Sequence, residues 1–168
     1  MKLTTKGRYA VAALADIAAF GGEGPVALPD VALRQGISAG YLEQLFAKLR
    51  RTGIVESARG VGGGYFLARR PGDIRIADIV AAVDEEIRTT SCAPGSRVGC
   101  HGRSARCLTH DLWDELGRQI EIFLNAVTLE DVIERRVLGM AAVNPPLRDE
   151  VGAEAPREER RIFMGAAE

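Results

Sequence analysis

All cysteines and histidines of the chain lie in one short stretch, residues 91–111, which we call the cysteine segment. It reads S-C-A-P-G-S-R-V-G-C-H-G-R-S-A-R-C-L-T-H-D. Many of its residues are Gly and Ser and few are large and apolar, so it cannot be a packed core element. Its side chains are soft-metal ligands, so a bound metal or cluster is the candidate that would order it. The residues of ligand type are Cys92, Cys100, Cys107, His101 and His110.

The ligand spacing is C-x7-C-x6-C-x2-H when the last histidine is counted. The C-x2-H step brings Cys107 and His110 to one side of a tight turn or a first helical turn, where both can bind one metal. Three thiolates and one imidazole fit tetrahedral zinc or the two irons of a [2Fe–2S] cluster, and the spacing does not decide between them. Three free cysteines in a loop are the plain alternative. We expect His110 rather than His101 as the nitrogen ligand, because His101 directly follows Cys100.

The elements before this segment indicate a helix-turn-helix. Apolar residues at three- and four-residue steps predict a helix over residues 4–20, followed by helices over 29–34 and 39–51. Ser38 is a good N-cap for the third helix. A generic three-helix core would give the same pattern. The apolar positions of the first helix are Tyr9, Ala10, Ala13, Leu14, Ile17 and Phe20. The buried stripe predicted for the third helix is Leu42, Leu45, Phe46 and Leu49. The residues that point away from this stripe or lie at its edges are Tyr41, Glu43, Gln44, Lys48, Arg50 and Arg51.

A glycine-tipped hairpin is predicted next. Residues 54–59 and 65–69 read as two short strands around the tip G-V-G-G-G, with Arg59 at its base. Such a hairpin resembles a wing, which can lay backbone amides on phosphates and an arginine in the minor groove. A flexible turn is the alternative. A nucleotide-phosphate loop is not favoured, because the tip lacks the G-K-S/T ending.

The C-terminal half is predicted to contain helices over residues 74–83, 111–126 and 128–137. The long middle helix is strongly apolar on one face and needs a cover, either a second subunit or its own domain. Residues 144–168 lack periodicity and indicate a disordered tail. The apolar positions of the long helix are Leu112, Trp113, Leu116, Ile120, Phe123, Leu124 and Val127.

Charge is divided unevenly along the chain. Residues 1–75 hold 11 Lys/Arg and 6 Asp/Glu, whereas residues 76–168 hold 11 and 17. A basic first half suggests contact with a polyanion. Asp16 interrupts the apolar run near the N-terminus, no stretch has membrane length, and three cysteines fit a reducing compartment. We therefore expect a cytoplasmic protein without membrane contact.

Several runs are shared with a known family. They are K-L-T-T-K-G-R-Y-A-V at the start, R-Q-G-I-S and Y-L-E-Q-L-F around the third helix, R-G-V-G-G-G-Y in the wing, then A-V-D-E, C-L-T-H and F-L-N. Over about residues 1–135 the chain resembles the IscR-type iron–sulfur cluster regulators, within a wider family of bacterial winged-helix repressors. Gly40 stands where relatives often have serine, and the cysteine spacings are longer than usual. A sister group that senses nitric oxide has an acidic residue where this chain has Arg8.

The resemblance implies a mostly α fold: a winged helix-turn-helix domain with a small β-hairpin wing, plus a long helix that pairs two subunits. We expect a DNA-binding domain at 1–84, a cluster loop at 85–110, the dimerisation helix and a short helix at 111–140, and a disordered tail at 141–168. The resemblance also implies that cluster occupancy shifts which promoters are bound. The implied [2Fe–2S] ligands are Cys92, Cys100, Cys107 and His110.

The expected function is a homodimeric transcription regulator, a repressor, on double-stranded promoter DNA. It would sense iron–sulfur or oxidative status and control cluster assembly genes, with the assembly machinery as a possible cluster donor. Structural zinc, a thiol redox switch or an electron-transfer iron–sulfur protein are the alternatives. The sequence shows neither a Ser/His/Asp set nor a phosphate loop, so we do not expect an enzyme. The expected DNA-binding residues are Ser38, Gly40, Tyr41, Glu43, Gln44, Arg50, Arg51, Arg59, Gly60, Gly62 and Gly63.

Overall fold

Three helices, a hairpin, a 3-10 turn and then further helices follow one another along the chain. The computed structural model describes residues 5–22, 24–85, 89 and 108–138. The helices are α1 (Thr5–Phe20), α2 (Leu28–Gln35), α3 (Ala39–Arg51), α4 (Ile76–Ala82), α5 (His110–Ala126) and α6 (Leu129–Ile133). The strands are β1 (Val55–Ala58) and β2 (Gly64–Leu67), and the 3-10 turn covers Pro71–Asp73.

This order confirms the predicted fold class, mostly α with a small antiparallel hairpin after the helix-turn-helix. The predicted tail at 141–168 lies outside the described residues, as do all three cysteines. The last helix is shorter than predicted, because the chain turns away at Glu134 and Arg135 takes a left-handed φ of 57°. Among the described residues, no helix is both long enough and apolar enough to cross a membrane.

The core forms where α1 packs against α3 and α4. The apolar positions predicted for α3 are all buried: Leu42, Leu45, Phe46 and Leu49. Most of those predicted for α1 are buried too: Ala10, Ala13, Leu14 and Ile17. Two predicted positions differ, since Tyr9 is 37% exposed and Phe20 is 66% exposed. Tyr9 lies edge-on against Tyr41, with ring centroids 6.0 Å apart. Phe20 lies under the guanidinium of Arg34, 5.1 Å from its ring centroid.

A buried carboxylate fixes α2 to α1. Asp16 on α1 is 3% exposed and accepts hydrogen bonds from Arg34 Nη2 at 2.5 Å and Gln35 Nε2 at 2.8 Å. Burial alone would raise the pKa of the Asp16 carboxyl, but the hydrogen bonds from Arg34 and Gln35 and the charge of Arg34 outweigh it and lower that pKa. The Asp16 charge is thus compensated at the C-terminal end of α2. There Gly36 adopts a left-handed φ of 64° and starts the turn into α3.

The tip end of strand β2 is anchored to the loop between α1 and α2. Strands β1 and β2 pair antiparallel with Val55 opposite Leu67. Val26 then bridges Tyr65, whose N–H donates to Val26 O at 2.8 Å and whose carbonyl accepts from Val26 N at 2.9 Å. A Cβ at Gly64 would lie 2.3 Å from Val26 O, so this approach requires a glycine.

The end of α5 returns to the core. Ile76 N donates to Val127 O at 2.9 Å, and Leu129 N donates to Ile74 O at 2.8 Å. Val127 and Leu129 are buried in the same cluster as α1 and α3. Thr128 and Asp131 form a capping box at the start of α6, with the Asp131 N–H donating to Thr128 Oγ1 at 3.2 Å. The long helix therefore folds back on its own domain at its C-terminal end.

We expect Gly64→Ala to destabilise the fold by about 2 kcal/mol or more, because the added methyl group forces Val26 away from Tyr65 and breaks their bridge. Urea unfolding followed by circular dichroism measures the change. Gly40→Ala is the matched control: it lies in a helix with open space around it, so it should be neutral or stabilise by up to about 1 kcal/mol. Equal stability of the two variants would contradict the role of Gly64.

We expect Asp16→Asn to cost about 2 kcal/mol at neutral pH, less than a fully buried pair because Arg34 remains partly in water. The folded pKa of Asp16 is lowered, so its contribution is complete above the unfolded pKa of about 3.9 and is lost as pH falls through the folded pKa. Urea unfolding of both proteins from pH 7 to pH 3 measures this.

The stability difference between wild type and Asp16→Asn should therefore be constant down to pH of about 4 and then shrink. Asp30→Asn on α2 is the control, because Asp30 is exposed. A difference that grows on acidification would contradict the pairing.

Candidate DNA-binding surface and cysteine segment

The surface opposite the buried stripe of α3 is polar and exposed. Ser38 is the N-cap of α3, and its Oγ accepts from the Tyr41 N–H at 3.3 Å, as predicted. Glu43 is the one acidic residue of the helix. Lys48, Arg50 and Arg51 in its last turn suit the negative end of the helix dipole. The predicted positions that are exposed are Gly40, Glu43, Gln44, Arg50 and Arg51, while Tyr41 is half-buried.

Tyr41 is held from the side by α1. Its ring stands at 88° to the ring of Tyr9. Such an edge-to-face contact restricts the tyrosine at the start of α3 without burying its hydroxyl group in the core. The orientation of this residue at the N-terminal end of α3 therefore depends on the first turns of α1.

The wing tip carries the conformations that glycine allows. Gly60 has a φ of 104° and Gly62 a φ of 77°, and Gly63 N donates to Gly60 O at 3.0 Å. Arg59 at the base of the tip is exposed. Arg50 Nη1 donates to Ser57 Oγ on β1 at 3.4 Å, which joins the end of α3 to the wing. We call the exposed face of α3 and the tip the α3–wing surface, and it brings the predicted DNA-binding residues together.

The cysteine segment is described only at its end. His110 is the first residue of α5 and is 8% exposed. Thr109 occupies the N-cap position, but its side chain makes no capping hydrogen bond. Cys92, Cys100 and Cys107, together with His101, lie outside the described residues. Within the described ranges no group of three or more His, Cys, Asp or Glu could hold a metal ion.

A cluster fits what is described of this segment. The imidazole of His110 is sheltered from water at the positive end of α5, three residues after Cys107 in the chain. A helix N-terminus favours the negative charge that thiolates bring to a bound metal centre. The donor set, three thiolates and an imidazole, has the softness that iron–sulfur clusters and zinc require.

Three contacts around these sites were not predicted from the sequence. Gly64 meets Val26 at the tip end of β2, as described above. Lys48 Nζ lies 2.8 Å from Asp84 Oδ2, joining α3 to the end of α4. Thr89 packs against α5 at Gly117, where an added Cβ would lie 2.5 Å from Thr89 Oγ1. All three contacts join residues far apart in sequence, so no local sequence pattern predicts them.

Comparison with known proteins identifies the family. The sequence profile of Rrf2, described as an iron-dependent transcriptional regulator, matches residues 3–135. This chain belongs to the Rrf2 family. The HTH-type transcriptional regulator IscR of Xenorhabdus nematophila is 49% identical over 136 residues, 81% of this chain and 81% of that protein. The IscR of Pectobacterium carotovorum is 48% identical over the same length.

Solved structures agree with this assignment. The structure of T. potens IscR has a TM-score of 0.63 at 38% identity and covers 81% of this chain and 88% of its own. CymR, the global cysteine regulator of B. subtilis, has a TM-score of 0.67 at 31% identity, covering 80% and 98%. This Rrf2 chain is accordingly an IscR-type, DNA-binding transcriptional regulator and not an enzyme.

Proposed function

We propose that this regulator is a cytoplasmic homodimer whose promoter binding depends on a [2Fe–2S] cluster, and that it represses cluster assembly genes. The observation that carries the proposal is the joining of an exposed α3–wing surface to a segment that holds every cysteine and ends in the buried His110. The names of the IscR relatives support the same reading. In this proposal residues 1–84 bind DNA and residues 85–110 bind the cluster.

In the proposed complex the exposed face of α3 enters the major groove. Gln44 and Tyr41 contact base edges or backbone near its start. Glu43 can accept a hydrogen bond from cytosine N4 but repels phosphate, so it selects among sites and adds no general affinity. Arg59 enters the adjacent minor groove. The remaining proposed contacts, to phosphates, come from Ser38, Gly40, Arg50, Arg51, Gly60, Gly62 and Gly63.

The proposed ligands would hold the cluster as two pairs, one for each iron. They are Cys92, Cys100, Cys107 and His110. When bound, the cluster supplies a centre that responds to oxidants and to iron supply. Burial of His110 keeps its imidazole from water. The N-terminus of α5 would stabilise negative thiolates bound beside His110. The cluster assembly machinery is the proposed donor; bound zinc or thiol oxidation is the alternative.

The proposed dimer buries the N-terminal half of α5. Leu112 is 64% exposed, Trp113 45% and Leu116 38%, although the C-terminal end of the helix is packed into the core. A row of exposed large apolar side chains on one helix is unfavourable in water. The same face of a second copy would cover it by a two-fold contact.

We expect Arg59→Ala to weaken binding to a fluorescein-labelled duplex about tenfold, because the wing loses its minor-groove cation. Fluorescence anisotropy over a range of salt concentrations measures it, and sedimentation of the complex should give two chains per duplex. Wild-type affinity should fall steeply as salt rises.

Arg70→Ala is the control for Arg59→Ala. Arg70 lies beyond the base of the wing and pairs with Asp73 at 2.8 Å. An equal loss of affinity in the two variants would contradict the placement of Arg59 in the groove. A wild-type protein that does not bind duplex DNA would overturn the α3–wing surface itself.

We expect protein purified without oxygen to show visible charge-transfer bands and equal amounts of iron and acid-labile sulfide. Cys107→Ala should lose the bands, because one iron loses a ligand, whereas His101→Ala should keep them. Absorption spectra with iron, zinc and sulfide analysis of the same samples test this. Colourless wild-type protein that contains zinc would indicate that the cysteine segment binds structural zinc instead of a cluster. Colourless, metal-free protein that stays colourless after reconstitution with iron and sulfide would favour a thiol switch.

A further inference from the structure

The turn after α4 connects the DNA-binding domain to the cysteine segment. The Glu85 N–H donates to Val80 O at 3.3 Å and the Asp84 N–H donates to Ala81 O at 3.1 Å. These two bonds end α4 in a motif that places its central residue in the left-handed region, usually a glycine. Here that residue is Asp84, with a φ of 54°. An aspartate tolerates this conformation better than most side chains, and it also brings a carboxylate.

Both acidic side chains of the turn bind the DNA-binding domain. Glu85 is 7% exposed, and its carboxylate accepts a short hydrogen bond from the Gly7 N–H in the first turn of α1. The contact is so close that a Cβ on Gly7 would lie 2.5 Å from Glu85 Oε2. Asp84 reaches the other way and forms its ion pair with Lys48 on α3. Glu85 therefore fixes the turn, and the fixed turn holds Asp84 beside α3.

Lys48 belongs to the edge of the α3–wing surface. It follows Gln44 by one helical turn, and side chains four residues apart lie on the same side of a helix. The hydrogen bond and charge of Lys48, together with the charges of Arg51 and Lys6, lower the pKa of the Asp84 carboxyl. The Asp84 carboxylate thus lies within the electrostatic influence of three cations at one margin of the surface. Lys48 and Arg51 come from α3 and Lys6 from α1.

We propose that Lys48 is a phosphate contact in the DNA complex and that Asp84 occupies its ammonium group in the free protein. Asp84 then acts as an intramolecular competitor of DNA phosphate and restrains affinity. This inference rests on the proposed use of the α3–wing surface. The cysteine segment begins seven residues after Asp84 in the chain.

The exposure of the pair makes such competition physically reasonable. The Lys48 side chain is 27% exposed and the Asp84 side chain 77% exposed. An ion pair this open to water is weak, so a DNA phosphate can displace the carboxylate at little cost. The lysine remains attached to a rigid helix in either state. Exchange requires only a rotation of its flexible side chain.

The test is a double-mutant cycle on Asp84→Asn and Lys48→Met. Asparagine also tolerates the left-handed backbone, so the turn persists while the charge is lost. Binding to a fluorescein-labelled duplex of mixed sequence is measured by anisotropy across a salt series. We expect Asp84→Asn to bind about fivefold tighter, as removal of a weak competing pair allows. Its salt dependence should stay close to that of wild type, because Lys48 contacts a phosphate in both complexes, whereas the slope of Lys48→Met should be shallower by about 0.9 per chain, for one lost phosphate contact. Lys48→Met should bind more weakly.

The decisive comparison is between Lys48→Met and the double variant that also carries Asp84→Asn. We expect the double variant to gain no DNA affinity over Lys48→Met beyond the effect of net charge. Asp73→Asn measures that effect, because Asp73 also pairs at 2.8 Å with an exposed arginine but lies away from α3, next to α6. Thermal unfolding confirms that each variant folds. Unchanged affinity in Asp84→Asn, or a gain that persists without Lys48, would overturn the inference while leaving the proposed function intact. Absence of DNA binding by wild type would overturn both.

Discussion

The arrangement of the helix-turn-helix depends on one ion pair, between the buried carboxylate of Asp16 on α1 and the partly exposed guanidinium of Arg34 on α2. Helix α2 is only 8 residues long and buries only Leu28 and Val31, so apolar packing alone holds it weakly. The buried carboxylate of Asp16 accepts from both Arg34 and Gln35 and ties the end of α2 to α1. The turn at Gly36 starts from that end. The direction in which α3 leaves the core therefore follows from a polar contact beneath it.

Local patterns predicted most of this fold, and contacts between distant residues account for what they missed. The buried stripe of α3 and the glycine tip of the wing are periodic or compositional features, so a single sequence reveals them. Asp16 looked only like an interruption of an apolar run, because its partners on α2 are not visible from α1. The bridge of Val26 to Tyr65 and the return of Val127 to the core are likewise tertiary.

The same distinction applies to the functional surfaces. The ligand role of His110, suggested by its spacing from Cys107, stays a prediction. The exposed face of α3 could be predicted because it is the complement of a buried stripe. The pairing of Lys48 with Asp84 could not, since each side chain reads as an ordinary solvated charge. The N-cap role of Ser38 was readable because a cap and its helix are neighbours in sequence, and the Tyr41 N–H does donate to its hydroxyl.

The elements before and after the cysteine segment are both joined to α4. The chain leaves α4 through the turn at Asp84 and Glu85, and it returns at the end of α5, where Val127 O accepts from Ile76 N at the start of α4. Helix α4 in turn packs on α1 and α3. Helix α4 therefore joins the chain before and after the segment to the two helices that pack on it, and α3 carries most of the proposed DNA contacts.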